Sequence, residues 1–224
     1  MIPWLHIDTA RVPGADVDLR LMRRGAEFSM MLGPNELMNS RLSGSEEALA
    51  TLACKRIEAV KRPHLLIGGL GMGFTLRAAL AVLGSDARIT VAELVPAVIA
   101  WARGPMADMF GDSLDDPRAD VLSADVVEVI QSHAAAFDAI LLDVDNGPEG
   151  LIRKANDALY NTKGLKAIRR ALRPGGVLAV WSSGPNASFP KRLRDAGFDV
   201  NEVAVRATAR RSGARHVIWF ATKS

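Results

Sequence analysis

Apolar positions recur along this chain in three successive patterns. Between Asp16 and Leu21 they alternate with polar ones (Val17, Leu19, Leu21), Arg23-Arg24-Gly25 supplies a turn, and Ala26, Phe28, Met30 and Leu32 alternate again. Period two on both arms predicts a β-hairpin. Gly44-Ser45 then opens a helix whose apolar face is Ala48, Leu49, Leu52, Ala53, Ile57 and Val60, with Pro63 as its stop. From His64 onward short continuous apolar runs take over: Leu65–Ile67, Ile89–Ala92, Val121–Ser123, Ala139–Leu142 and Val177–Trp181. Helical stretches at Phe74–Leu83, Pro96–Ala102, Val126–His133 and Ala158–Leu172 separate them. Strands apolar on both faces and alternating with helices predict a parallel sheet covered on both sides, with Leu65–Ile67 central. Phe198–Val205 and His216–Phe220, joined by a basic loop, predict a closing antiparallel hairpin.

The organisation expected is a short N-terminal β-hairpin segment over residues 1–44 and a Rossmann-like α/β domain over residues 45–224. A mainly parallel sheet ending in an antiparallel hairpin is the plan of class I methyltransferase-like folds. The length of 224 residues suits one such domain with a small appendage. Hydrophobic residues make up 49%, yet no apolar run approaches the ~20 residues that span a bilayer. The first residues, MIPWLHIDTARVPG, lack a basic stretch followed by an apolar one, so no secretory leader is predicted. One cysteine, Cys54, excludes an internal disulfide framework and fits a cytoplasmic location; its apolar helical neighbours mark it as core. The net charge of +3 is spread along the chain, densest at Arg206–Arg215. With aromatics at 5% and no recognisable module, that stretch reads as a solvated loop rather than a nucleic-acid surface.

Candidate chemistry gathers at the carboxyl ends of the predicted strands, where open parallel sheets bind ligands. The first strand runs into Gly68-Gly69-Leu70-Gly71-Met72-Gly73 and then a helix. Glycines there allow a sharp turn and close ligand approach. The spacing is G-x-G-x-G at Gly69, Gly71 and Gly73, not the G-x-G-x-x-G of dinucleotide folds, and points to an S-adenosylmethionine-type site. Glu93, twenty positions past Gly73 at the end of the second strand and followed by Leu94, can accept hydrogen bonds from ribose hydroxyls. Ala124-Asp125 follows the third strand, where Asp125 can meet an adenine amino group or cap the next helix. Asp143 and Asp145 follow the fourth. Two carboxylates so close together at a strand end call for a cation or water, although Asp145-Asn-Gly-Pro148 is also good turn chemistry.

Together these residues resemble the spermidine synthase family of aminopropyltransferases, from about Phe28 onward. The family's I-G-G-G-D-G-G turn is matched by Ile67–Gly73, its acidic residue after the second strand by Glu93, and its G-D-A segment by Ala124-Asp125. Asp143–Pro148 looks like a shortened D-x-x-D-P-x-G-P, and Leu159-Tyr160 and Leu172–Gly176 also look familial. The sequence departs from the family where Gly71 replaces the aspartate of the turn and where Leu49-Ala50 stands near the family's Tyr and His. Trp181-Ser182-Ser183 lacks its glutamine, and Asn39 is the nearest stand-in for the glutamine of L-D-G-x-x-Q.

The resemblance implies transfer of an aminopropyl group from decarboxylated S-adenosylmethionine to a small-molecule amine, with no metal. Asp143 would be the base and Asp145 a second amine anchor. A methyltransferase using intact S-adenosylmethionine on another small acceptor is the first alternative, which Gly71 favours by removing an anion near the donor. A nucleoside-binding protein without catalysis is the second. Neither a membrane nor a nucleic-acid partner is expected, and a homodimer is compatible. Carboxylates gathered around Asp143, drawn from Asp145, Glu149, Asp157, Glu46 and Glu47, would mark a cationic acceptor; arginine or apolar side chains would mark a methyl acceptor.

Overall fold

The computed structural model describes residues 2–14, 16–144, 158–207 and 214–224. Strands β1 (Leu5–Arg11), β2 (Asp18–Arg24), β3 (Glu27–Leu32) and β4 (Asn35–Asn39) form an antiparallel sheet in sequence order. The expected hairpin is its middle, β2 against β3, with Leu21 opposite Met30. Two strands escaped the periodicity. In β1 both faces of the strand are largely exposed, so alternation carries little signal there; its anchor is the Trp101 indole N–H, which donates to Asp8 Oδ2 at 2.7 Å. In β4, Asn-Glu-Leu-Met-Asn contains no β-branched residue, and pairing with β3 across the turn at Gly33 (φ +55°) makes the strand.

Helix α1 (Gly44–Arg56) leads into the larger sheet, which has the order β10-β11-β9-β8-β5-β6-β7. Its members are β5 (His64–Gly68), β6 (Arg88–Glu93), β7 (Ala119–Ser123), β8 (Phe137–Leu142), β9 (Leu172–Ser182), β10 (Phe198–Arg206) and β11 (Arg215–Lys223). β5 is the middle of the five parallel strands, and β11 pairs antiparallel with both β9 and β10. The parallel core and closing hairpin therefore follow the predicted plan. Every residue of β8 is buried, as two-sided coverage requires.

Helices α2 (Phe74–Val82), α3 (Pro96–Arg103), α5 (Val126–Gln131), α6 (Thr162–Ala171) and α7 (Phe189–Asp195) make the crossovers. A short α4 (Ala107–Phe110) and a 3-10 turn (Gly111–Leu114) follow α3. Helix α1 ends at Arg56, four residues short of Val60 and seven short of Pro63: Ile57 caps it and Val60 is 37% exposed, so no core contact prolongs the helix. Cys54 is buried, and burial pushes its thiol up to about 12, which suits a packing residue. The predicted helical stretch from Ala158 is interrupted at Asn161: residues 158–160 are helical, and α6 begins at Thr162, where Asn161 Oδ1 accepts the N–H groups of Lys163 and Gly164 at 2.9 and 3.0 Å. Among the described residues no helix is long and apolar enough to cross a membrane.

Asn161→Ala should lower unfolding stability by about 1 kcal/mol through loss of that cap. Urea denaturation should show the shift in midpoint without a change in slope.

Candidate active site

The site lies at the carboxyl ends of β5, β6 and β8, and its backbone comes first. After β5 the chain turns through Gly69 (φ +91°), Gly71 (φ +50°) and Gly73 (φ +73°) into α2. A Cβ on Gly69 would lie 2.8 Å from the Asp143 carbonyl oxygen, and one on Gly73 would lie 2.3 Å from the Phe110 ring. Positive φ and close packing both demand glycine here. Gly69 and Gly71 line the ligand cleft, while Gly73 forms the N-cap of α2 against Phe110.

Glu93, only 7% exposed, holds this turn in place. Its Oε2 accepts the Leu70 N–H and its Oε1 the Val95 N–H, each at 2.8 Å. Burial raises the Glu93 carboxyl above its ordinary range, and these backbone donors oppose the rise. Leu94 lines the same cleft, whereas Ala124 ties β7 to β6 by donating its N–H to the Glu93 carbonyl at 3.0 Å. Asp125 caps α5 by accepting the Val127 N–H at 2.8 Å and also lines the cleft, so the two roles open for it coexist geometrically.

Asp143 sits where two clefts meet. The larger, about 790 Å³ of open space, runs past Glu93, Leu94, Val95, Asp125 and Val126. The smaller, about 550 Å³, is bounded by Glu46, Phe74 and Trp181. Thr75 Oγ1 donates to Asp143 Oδ2 at 2.9 Å. Burial and the neighbouring Glu46 carboxylate push Asp143 up to about 7, against the pull of the Thr75 hydrogen bond. Glu46 is likewise raised, chiefly by burial, although Ser45 Oγ donates to its Oε2 at 2.6 Å. Asp143 is thus poised near neutrality to take or give a proton.

Of the carboxylates expected around Asp143, Glu46 lines the smaller cleft and Glu47 does not; Asp145, Glu149 and Asp157 lie outside the described residues. No Lys, Arg or His side chain lines either cleft among the described residues. Nor do those residues hold a group of three or more His, Cys, Asp or Glu arranged for a metal ion. Asn39, buried at the end of β4 opposite Ser29, donates its amide to Glu36 Oε1 at 2.7 Å and lies off both clefts. The wall that the sequence left unread is the N-terminal sheet: Leu19, Met30, Leu37 and Met38 cover the larger cleft, and Met38 Sδ would stand 3.0 Å from a Cβ on Gly71. The period-two positions of Leu19 and Met30 signalled a buried face, but nothing local said what it covers.

This sheet order, with its parallel core and reversed last hairpin, defines a class I methyltransferase-like fold. A spermidine synthase from Thermotoga maritima has the same fold, with a TM-score of 0.76 over 98% of this chain and 73% of that one, at 20% identity. The sequence model of the spermine/spermidine synthase domain matches residues 44–188, and the chain belongs to that family. It is 31% identical to polyamine aminopropyltransferase 1 of Streptomyces coelicolor over 66% of this chain and 29% of that protein. With the polyamine aminopropyltransferase of Mycobacterium tuberculosis it shares 32% identity over 62% of this chain and 27% of the relative. The chain thus spans less than a third of the length of these two curated relatives.

The raised carboxyl of Asp143 has a stability consequence. Its pKa is near 3.8 unfolded and about 7 folded, so the native state holds the extra proton between those values. Stability contributed by the protonated form is present below pH ~4 and is lost as pH rises through 7. Asp143→Asn, which cannot ionise, should melt several degrees higher relative to wild type at pH 8 than at pH 5. Parallel calorimetric scans at the two pH values measure the difference.

Proposed function

We propose that the chain is an aminopropyltransferase that uses decarboxylated S-adenosylmethionine as donor and a small amine as acceptor. The observation that carries this reading is the charge of the joined clefts: Glu93, Asp125, Asp143 and Glu46 line them without a basic side chain among the described residues. A decarboxylated donor and an amine acceptor are both cationic and suit that field. Intact S-adenosylmethionine would bring a carboxylate into it with no cation among the described lining residues to receive it, which disfavours the methyltransferase reading. The names of the curated relatives support the same activity, and a single cysteine accords with a cytosolic enzyme.

In this reading the nucleoside lies along Gly69, Gly71 and Leu94, with Glu93 toward the ribose hydroxyls and Asp125 toward the adenine amino group. Gly73 and Ala124 hold the backbone on either side. A carboxylate has about four lone-pair sites, so Glu93 can keep both backbone donors and still accept from ribose. The acceptor enters beside Glu46 as an ammonium, whose pKa near ~10 requires loss of a proton before attack. Asp143 takes that proton. The freed nitrogen lone pair forms the new N–C bond, the C–S bond breaks with its pair passing to sulfur, and a neutral methylthioadenosine departs. Because sulfonium is already a good leaving group, alignment supplies much of the acceleration. Asp145 remains the second amine anchor suggested by the resemblance.

Asp143→Asn should lower kcat at least ~100-fold, the ordinary contribution of a general base, while methylthioadenosine affinity stays within a few fold. Full activity in that variant would exclude the mechanism. In wild type, log kcat should rise with pH through about 7 and then level as Asp143 ionises. Glu46→Gln removes a neighbouring negative charge, so the same rise should move to lower pH. Glu93→Ala should weaken methylthioadenosine binding ~10- to 100-fold, since a hydrogen bond to a charged group is worth ~1.5–3 kcal/mol. Unchanged affinity in calorimetry would release Glu93 from donor binding.

A further inference from the structure

Helix α1 carries Glu46 into the acceptor cleft from its first turn, and that turn is fastened to the far end of the chain. The Gly44 N–H donates to the Ala207 carbonyl at 3.0 Å. Ser45, fully buried, donates to Glu46 Oε2 at 2.6 Å, and His216 Nδ1 stands 2.9 Å from the same hydroxyl. His216 itself is half-buried on β11, with its ring edge-on to Trp181 at 4.8 Å between centroids. A continuous hydrogen-bonded line therefore runs from the Glu46 carboxylate, beside Asp143, to an imidazole at the margin of the fold. The reaction proposed above uses neither Ser45 nor His216.

A hydroxyl can accept one proton while giving up its own, and an imidazole can receive on one nitrogen and release from the other. We propose that Ser45 and His216 carry away the proton that the acceptor amine loses, and so restore the carboxylate pair for the next turnover. The inference rests on the aminopropyltransferase reading. In the step, Asp143 passes the proton taken from the amine to the neighbouring Glu46 carboxylate, Glu46 gives it to Ser45 Oγ, and the Ser45 O–H, turned from Glu46, breaks toward His216 Nδ1. The products are a Glu46 carboxylate, an intact serine hydroxyl and an imidazolium, which discharges to water. Two features suit His216 to this task. Burial holds its pKa below the ordinary histidine value, so the proton does not stay. Glu46 lies one hydroxyl away on α1, and Arg206 and Arg215 pair next to His216 in the hairpin, so the line runs from a carboxylate at the cleft toward two guanidinium groups. Without the relay the proton would have to leave through the cleft that substrate and product occupy.

The test uses the full chain with decarboxylated S-adenosylmethionine and 1,4-diaminobutane as probes, and methylthioadenosine affinity as the check on folding. Ser45→Ala breaks the line at a buried site without adding volume. His216→Asn keeps a hydrogen-bonding group near the Nδ1 position but cannot carry a proton. Both should lower kcat about tenfold, with acceptor KM and methylthioadenosine affinity within about twofold. The wild-type proton inventory in mixed H₂O and D₂O should be curved, showing more than one proton in transit, and should become linear in both variants. Wild-type kcat in His216→Asn would mean the hydrogen bond merely positions Glu46, and would overturn the relay. A rise in acceptor KM alone would do the same. If wild type transfers no aminopropyl group although it binds methylthioadenosine, the functional reading falls and the relay with it; an active wild type with unaffected variants sinks the relay alone.

Discussion

The ligand cleft depends on one buried carboxylate holding two stretches of backbone. Glu93 takes the Leu70 N–H on one oxygen and the Val95 N–H on the other, and so joins the glycine turn after β5 to the start of α3. Both stretches would otherwise leave a donor without a partner in a nearly dry region, at ~1–3 kcal/mol each. Burial works against the charge of Glu93, and the converging backbone dipoles compensate it. With the turn held, Gly69 can pass 2.8 Å from the Asp143 carbonyl, measured from where a Cβ would stand, and the two halves of the cleft are set in register.

The acceptor side is built on the opposite principle. Asp143 and Glu46 are brought together with too few donors to keep both comfortably ionised, and Asp143 consequently titrates near 7. Such a pair destabilises the fold at neutral pH, and in the proposed reaction it supplies a base of useful strength, the common trade between stability and activity. The absence of basic side chains from the lining of the described clefts keeps that negative field intact. Family membership and the charge of the clefts are two independent supports for the cationic substrates proposed.

Distant segments close the site. The N-terminal sheet roofs the larger cleft with Leu19, Met30 and Met38, while the C-terminal hairpin fastens Glu46 through Ala207 and His216. Ser45 and His216 lie 171 residues apart along the chain, so their contact costs loop closure rather than following from local preference. The Ser45 hydroxyl faces Glu46 and His216, at 2.6 and 2.9 Å.

Much of this architecture was legible along the chain, because two-sided burial writes continuous apolar runs and one-sided burial writes alternation. That is why Leu65–Ile67, Ala139–Leu142 and the closing hairpin were found, and why Gly69, Gly71, Glu93, Asp125 and Asp143 could be placed at strand ends. The strands β1 and β4 were missed, one because its faces are exposed and the other because pairing rather than residue preference makes it extended. Local patterns likewise could not show that Glu46 stands beside Asp143, that Met38 roofs Gly71, or that His216 reaches Ser45. Sequence alone determined the parallel core, its closing hairpin, the sheet class and the candidate donor-side residues, since those follow from near-neighbour spacing and backbone demands. The Asp143–Glu46 pair and its connection to the last strand were decided by tertiary structure, because burial and charge coupling depend on which segments the fold packs together.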